Sequence, residues 1–147
     1  MLNYNENAAR TMQTARLYVA LVCSFAQAQH ITLNFDNLTL PEKTKKNDMR
    51  ALLARASVRV GDSLRYVIIQ EYAPQSDAIA AYHIITDMPA AICEDICKRW
   101  YSGSFSVSSV NVQRPDTLPA FMLNPESVRN GRRYYSTSRN IANALAV

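Results

Sequence analysis

Two groups able to hold a metal or move a proton come within reach of each other near the middle of the chain. The stretch from Ile79 to Thr86 reads as a strand, and its period of two puts Ala81, His83 and Ile85 on one face. Glu71 lies on the preceding stretch, Leu64 to Glu71, from which it could reach His83 across a hairpin. One imidazole and one carboxylate make half of a divalent-metal site, because tight transition-metal sites use three or more protein ligands. The pair therefore reads either as a weak or lost metal site at His83 and Glu71, or as a core histidine satisfied by its neighbour. His30, the only other histidine, opens a further alternating stretch and has no evident partner. Cys93 and Cys97 sit four apart, a helical spacing that is neither a zinc knuckle nor a C-x-x-C redox pair, so they read as small buried residues. No Ser/His/Asp or Cys/His set stands out, and the 3 glycines are not spaced as a phosphate or dinucleotide loop.

The charge is mild in sum and biased in kind. Sixteen Lys and Arg against 12 Asp and Glu leave a net +4, and 12 of the 16 cations are Arg, whose planar fork suits bidentate phosphate contacts. Arg114, Arg129, Arg132, Arg133 and Arg139 face only Asp116 and Glu126 in the same segment, a local excess of three positive charges. Tyr134 and Tyr135 follow directly on Arg132 and Arg133, and cations interleaved with aromatic rings are the surface that single-strand binders use. A solvated basic edge is the alternative reading of the same residues.

The elements that must position these groups follow from the patterning. With 147 residues, 48% hydrophobic and 19% charged, the chain can bury a single core, so one domain over 1–147 is expected. Three cysteines are too few for a disulfide framework and odd in number, which fits a reducing, cytoplasmic setting. Leu17 to Ala26 is apolar, follows Arg10 and Arg16, and precedes Ala26-Gln27-Ala28, a pattern that mimics a leader peptide. It reads instead as the buried face of a helix from about Asn5 to Gln27, with Leu17, Leu21, Val22 and Phe25 inward and no membrane partner. A strand is predicted over His30 to Asp36, and a helix capped by Asn47 or Asp48 that ends near Ser57. The continuous Tyr66-Val67-Ile68-Ile69 suggests a strand buried on both faces, joined by the turn Ala73 to Asp77 to its antiparallel partner. A helix capped by Asp87 ends at Gly103, and a fourth strand follows from Phe105 to Val112 with a bulge at Ser108-Ser109. A short helix after Asp116 and an edge strand over Arg132 to Ser136 complete the pattern, leaving Ile141 to Val147 unassigned. The expected fold is α+β, an antiparallel central sheet of four to five strands with helices packed mainly on one face.

In order and wording these elements resemble the rolling-circle replication initiators of the HUH endonuclease superfamily, carried by plasmids, integrative elements and small phages. Ile31-Thr32-Leu33-Asn34-Phe35 resembles the first motif. Tyr66-Val67-Ile68 with Glu71, then Ala81 to Asp87, resembles the second-motif hairpin, where the family has two histidines flanking one bulky residue. Leu118 to Glu126 resembles the helix that carries the nucleophilic tyrosine and, three residues on, a lysine, and Arg132 to Asn140 resembles the basic segment after it. Matched residue by residue, the first ligand histidine is Ala81, the nucleophile is Phe121 and the lysine is Asn124. Phe121 has no oxygen with which to attack a phosphate, and Ala81 has no lone pair for a metal. The resemblance thus implies a Rep-like protein from a mobile element or phage that has lost its catalytic positions. Its expected partner is single-stranded or hairpin DNA, or a host nucleic-acid-processing protein, met through Arg114, Arg129, Arg132, Arg133, Tyr134, Tyr135 and Arg139. It would need no cofactor beyond a weakly held divalent metal. Two other readings are a nicking enzyme that uses Tyr134 or Tyr135, and an inhibitor acting only by protein contact.

Overall fold

The computed structural model describes residues 4–111, 113–114, 118–123, 127–128 and 134–146. Helix α1 (Tyr4–Phe25) leads into β1 (Ala28–Asn34), followed by α2 (Glu42–Val60), β2 (Tyr66–Tyr72), β3 (Ile79–Thr86), α3 (Ala90–Cys97), β4 (Phe105–Val110), β5 (Tyr135–Thr137) and α4 (Arg139–Ala146). Single 3-10 turns lie at Gly61–Ser63 and Ala120–Leu123. The strands form one antiparallel sheet in the order β4-β1-β3-β2-β5. The chain is an α+β fold built on that sheet.

Helices cover both faces, not mainly one. On the first face, Ile31, Leu33, Ile68, Tyr82 and Ile84 pack with Met49, Leu52 and Ala56 of α2, with Cys93, Ile96 and Cys97 of α3, and with Trp100. On the second, Val67, Ile69, Ile85 and Val110 pack with Ala8, Met12, Ala15, Val19 and Val22 of α1, and with Met122, Tyr134 and Ile141. The cause is legible in β2, whose consecutive Val67, Ile68 and Ile69 are all buried and so need a cover on each side. The buried stripe of α1 also differs from the expected one. Leu17 and Phe25 are 53% and 44% exposed, and the heptad-like row Ala8, Met12, Ala15, Val19 and Val22 faces the sheet instead. Phe25 is occupied on its ring face by the guanidinium of Arg65, 3.9 Å away.

Several boundaries shift for identifiable reasons. Helix α2 starts a turn early, at Glu42 after Pro41, so that Asn47 and Asp48 lie inside it and cap nothing. Its first turn is fixed by Lys45, which is buried and donates to the carbonyls of Leu38 at 2.9 Å and Ile79 at 2.7 Å. Strand β4 pairs with β1 in unbroken register from Ala28 opposite Val110 to Leu33 opposite Phe105, so it has no bulge at Ser108-Ser109. The irregularity falls between Glu71 and Tyr72 on β2. The edge strand runs from Tyr135 to Thr137, starting three residues after Arg132 and ending one after Ser136, and the unassigned C-terminus is helix α4. Ser138 and Asn140 tie that helix down: Ser138 Oγ accepts from Tyr66 N at 3.1 Å, and Asn140 Nδ2 donates to Leu64 O at 3.2 Å. The short helix expected after Asp116 is the turn Ala120–Leu123, with Asp116 itself outside the described residues. Cys23, Cys93 and Cys97 are free thiols, the last two buried. Among the described residues no helix is long and apolar enough to cross a membrane.

Candidate functional site

Helix α1 packs over β2 and β3, and the part of the second face toward β1 and β4 is left partly open. There the alternation of the strands presents polar groups. His30, Thr32 and Asn34 come from β1, His83 from β3, Glu71 from β2, and the exposed Ser106 and Ser108 from β4, opposite Thr32 and His30. The antiparallel pairing of β1 with β3 sets Thr32 opposite His83 and His30 opposite Ile85, and this brings the two histidines together.

Their side chains form a line of hydrogen bonds. His83 Nε2 lies 2.6 Å from Glu71 Oε1, and His83 Nδ1 lies 2.8 Å from His30 Nε2. Thr32 Oγ1 is 3.1 Å from His30 Nε2 and 3.4 Å from His83 Nδ1. The hydrogen bond from His83 holds the Glu71 carboxyl below the usual range against the opposing effect of burial, so Glu71 is ionised and accepts the Nε2 proton. With the proton on Nε2, His83 Nδ1 is the acceptor of His30 Nε2–H in the neutral pair. Burial pushes the His30 imidazole down to about 4, the nearby His83 pushes the same way, and Glu71 opposes them. The cluster can therefore orient imidazoles, hand a proton along Glu71, His83 and His30, and offer Thr32, Asn34, Ser106 and Ser108 as hydrogen-bonding groups at the surface.

It does not fit a metal ion as it stands. Glu71 and His30 occupy opposite nitrogens of the one His83 ring, so the three cannot converge on one point, and no group of three or more His, Cys, Asp or Glu does so among the described residues. Ala81 marks the gap: it is paired with Glu71 on one side and Asn34 on the other, two residues from His83 on the same strand face. Phe121 lies against His83, with ring centroids 4.6 Å apart and the planes tilted by 43°, and Tyr134 meets it edge-on at 6.4 Å.

The remaining sequence candidates are scattered or turned inward. Tyr134 is buried, its hydroxyl has no hydrogen-bond partner, and burial pushes that hydroxyl far above its ordinary range. It offers neither a nucleophile nor a stacking surface in this structure. Tyr135 is half-buried, with its ring against Tyr18 at 5.5 Å, and burial raises its hydroxyl as well. Arg114 borders a depression with Cys23, Gln27 and Ser109 at the far end of β4, whereas Arg139 borders another with Ser57, Asp62 and Tyr66. The two are not gathered into one basic patch. Asn124, Arg129, Arg132 and Arg133 lie outside the described residues. The residues that sequence reasoning missed are His30 and Thr32. Their period of two was visible, but the pairing of β1 with β3 that gives them partners is a long-range contact.

Compared with protein-family models, with curated proteins and with solved structures, the chain finds no match.

Proposed function

We propose that the chain is a non-cleaving relative of the rolling-circle initiators, from a mobile element or phage, that binds single-stranded or hairpin DNA on the half-open sheet face. The observation that carries this reading is the contact of Phe121 with His83 beside Ala81. The residue matched to the nucleophile lies against the residue matched to the surviving ligand, as a cleavage site requires, and the nucleophile and one ligand are both replaced by groups that cannot react. Thr32, Asn34, Ser106 and Ser108 supply neutral hydrogen-bonding groups to the same face, and phosphate and base contacts both draw on such groups. The protein would act in the cytoplasm, where its DNA or a host nucleic-acid-processing protein is met. The reading of Tyr134 as a replacement nucleophile is opposed by its sealed hydroxyl.

The test is a binding and a cleavage assay on the same oligonucleotides. Fluorescence anisotropy with single-stranded and hairpin DNA at low salt is expected to show binding, and a denaturing gel after incubation with Mg²⁺ or Mn²⁺ is expected to show no covalent adduct. An adduct lost in Tyr135→Phe or Tyr134→Phe would make the chain a nicking enzyme. No binding at low salt would leave the protein-contact reading.

A further inference from the structure

The first face of the sheet carries a feature that the DNA reading leaves unused. Between α2 and α3 runs a groove of about 510 Å³, lined by Arg55, Val58, Arg59, Ile96, Lys98 and Arg99. Ile96 is buried in the core beneath, but Val58 stands 86% exposed on the outer side of α2. Asp95 holds Arg59 at 2.5 Å, while Arg55, Lys98 and Arg99 make no ion pair among the described residues. The Nε of Arg55 is buried with no hydrogen-bond partner. Val58 has no role in holding the two helices together, since its side chain stands in solvent beside these cations.

We propose that this groove binds an acidic, amphipathic segment of a protein partner, whose apolar side chain covers Val58 and whose carboxylates pair with Arg55, Lys98 and Arg99. Charge complementarity selects the acidic segment, and the exposed Val58 among the cations selects an apolar side chain beside its carboxylates. The volume is that of a pocket for a few side chains. A phosphate backbone fits the same surface less well, because it would leave Val58 in water. The groove lies on the opposite side of the sheet from His83, so its occupant and DNA could be held at once, and the inference stands apart from the DNA reading.

A displayed library of random dodecapeptides, selected on the full chain and counterselected on Val58→Asp, tests it. Enriched sequences are expected to carry acidic residues around one aliphatic or aromatic residue, and Arg55→Gln with Arg99→Gln is expected to weaken the best of them about tenfold or more. Unchanged melting temperatures in these surface variants keep folding out of the result. No enriched sequence, no acidic bias, or affinity indifferent to the variants would overturn the proposal. An oligo-dT probe is measured on the same proteins: unaltered oligonucleotide binding is expected, and its loss in Val58→Asp would reassign the groove to nucleic acid.

Discussion

Glu71, His83 and His30 are joined in a line of hydrogen bonds, and the line is expected to make the fold acid-sensitive. In the unfolded chain His30 takes up a proton near its ordinary value of 6.5, whereas in the folded chain it does so only near 4. Its contribution is therefore fully present above about pH 6.5 and is lost as pH falls toward 4, amounting to at most about 3 kcal/mol. Glu71 acts in the same direction: its lowered value contributes stability above its ordinary 4.5, and that stability disappears as pH falls through the folded value. Urea midpoints are expected to be flat between pH 7 and 8 and to fall steeply below 6.5, with His30→Gln flattening the upper part of that fall. A midpoint that rises on acidification would show that the histidine pair gains a proton on folding. At the same scale, Lys45→Met keeps the volume but removes the donor to the Leu38 and Ile79 carbonyls. It is expected to cost about 1 to 3 kcal/mol in equilibrium unfolding, and a neutral result would mean that water replaces the ammonium.

Elements were legible in the sequence where periodicity was local, and illegible where a distant partner decided the outcome. The β2–β3 hairpin follows from two apolar runs and one turn, and with it the meeting of Glu71 and His83. The buried stripe of α1 did not follow, because Leu17 and Phe25 are larger than the alanines that the sheet selects, and hydrophobicity alone ranks them inward. His30 looked solitary because nothing near it in sequence announces that β1 would insert between β4 and β3. Gly103 illustrates the same gap. It reads as a helix stop, yet its place is fixed by a close approach, since a Cβ there would overlap the carbonyl of Asn34 at the end of β1. Gly103→Ala is expected to destabilise the fold by more than the ~0.5 kcal/mol typical of a surface change, and to perturb the Asn34 amide in NMR spectra. An unchanged Asn34 signal would mean that the loop, rather than the strand, yields.

For the whole molecule, the proposed DNA would meet, among the described residues, the polar strip toward β1 and β4, together with whatever the basic segment adds. If Arg132 and Arg133 contact phosphates, replacing both with Ala is expected to shallow the log–log salt slope of single-strand binding by roughly 1.4, at about 0.7 per contact. An identical slope in parent and double variant would place the phosphate contacts elsewhere.

The position of β4 at the end of the order β4-β1-β3-β2-β5 bears on how the protein survives its own concentration in a cell. Its sequence, Phe-Ser-Val-Ser-Ser-Val, has no charge and no proline, and among the described residues nothing pairs with its outer side. Such a bare edge is a template for another chain's strand, so the protein is expected to self-associate or aggregate as it accumulates. Ser109→Lys would plant a charge on that edge, and light scattering should then show less association at equal concentration. If scattering is the same in both, association does not run through this edge.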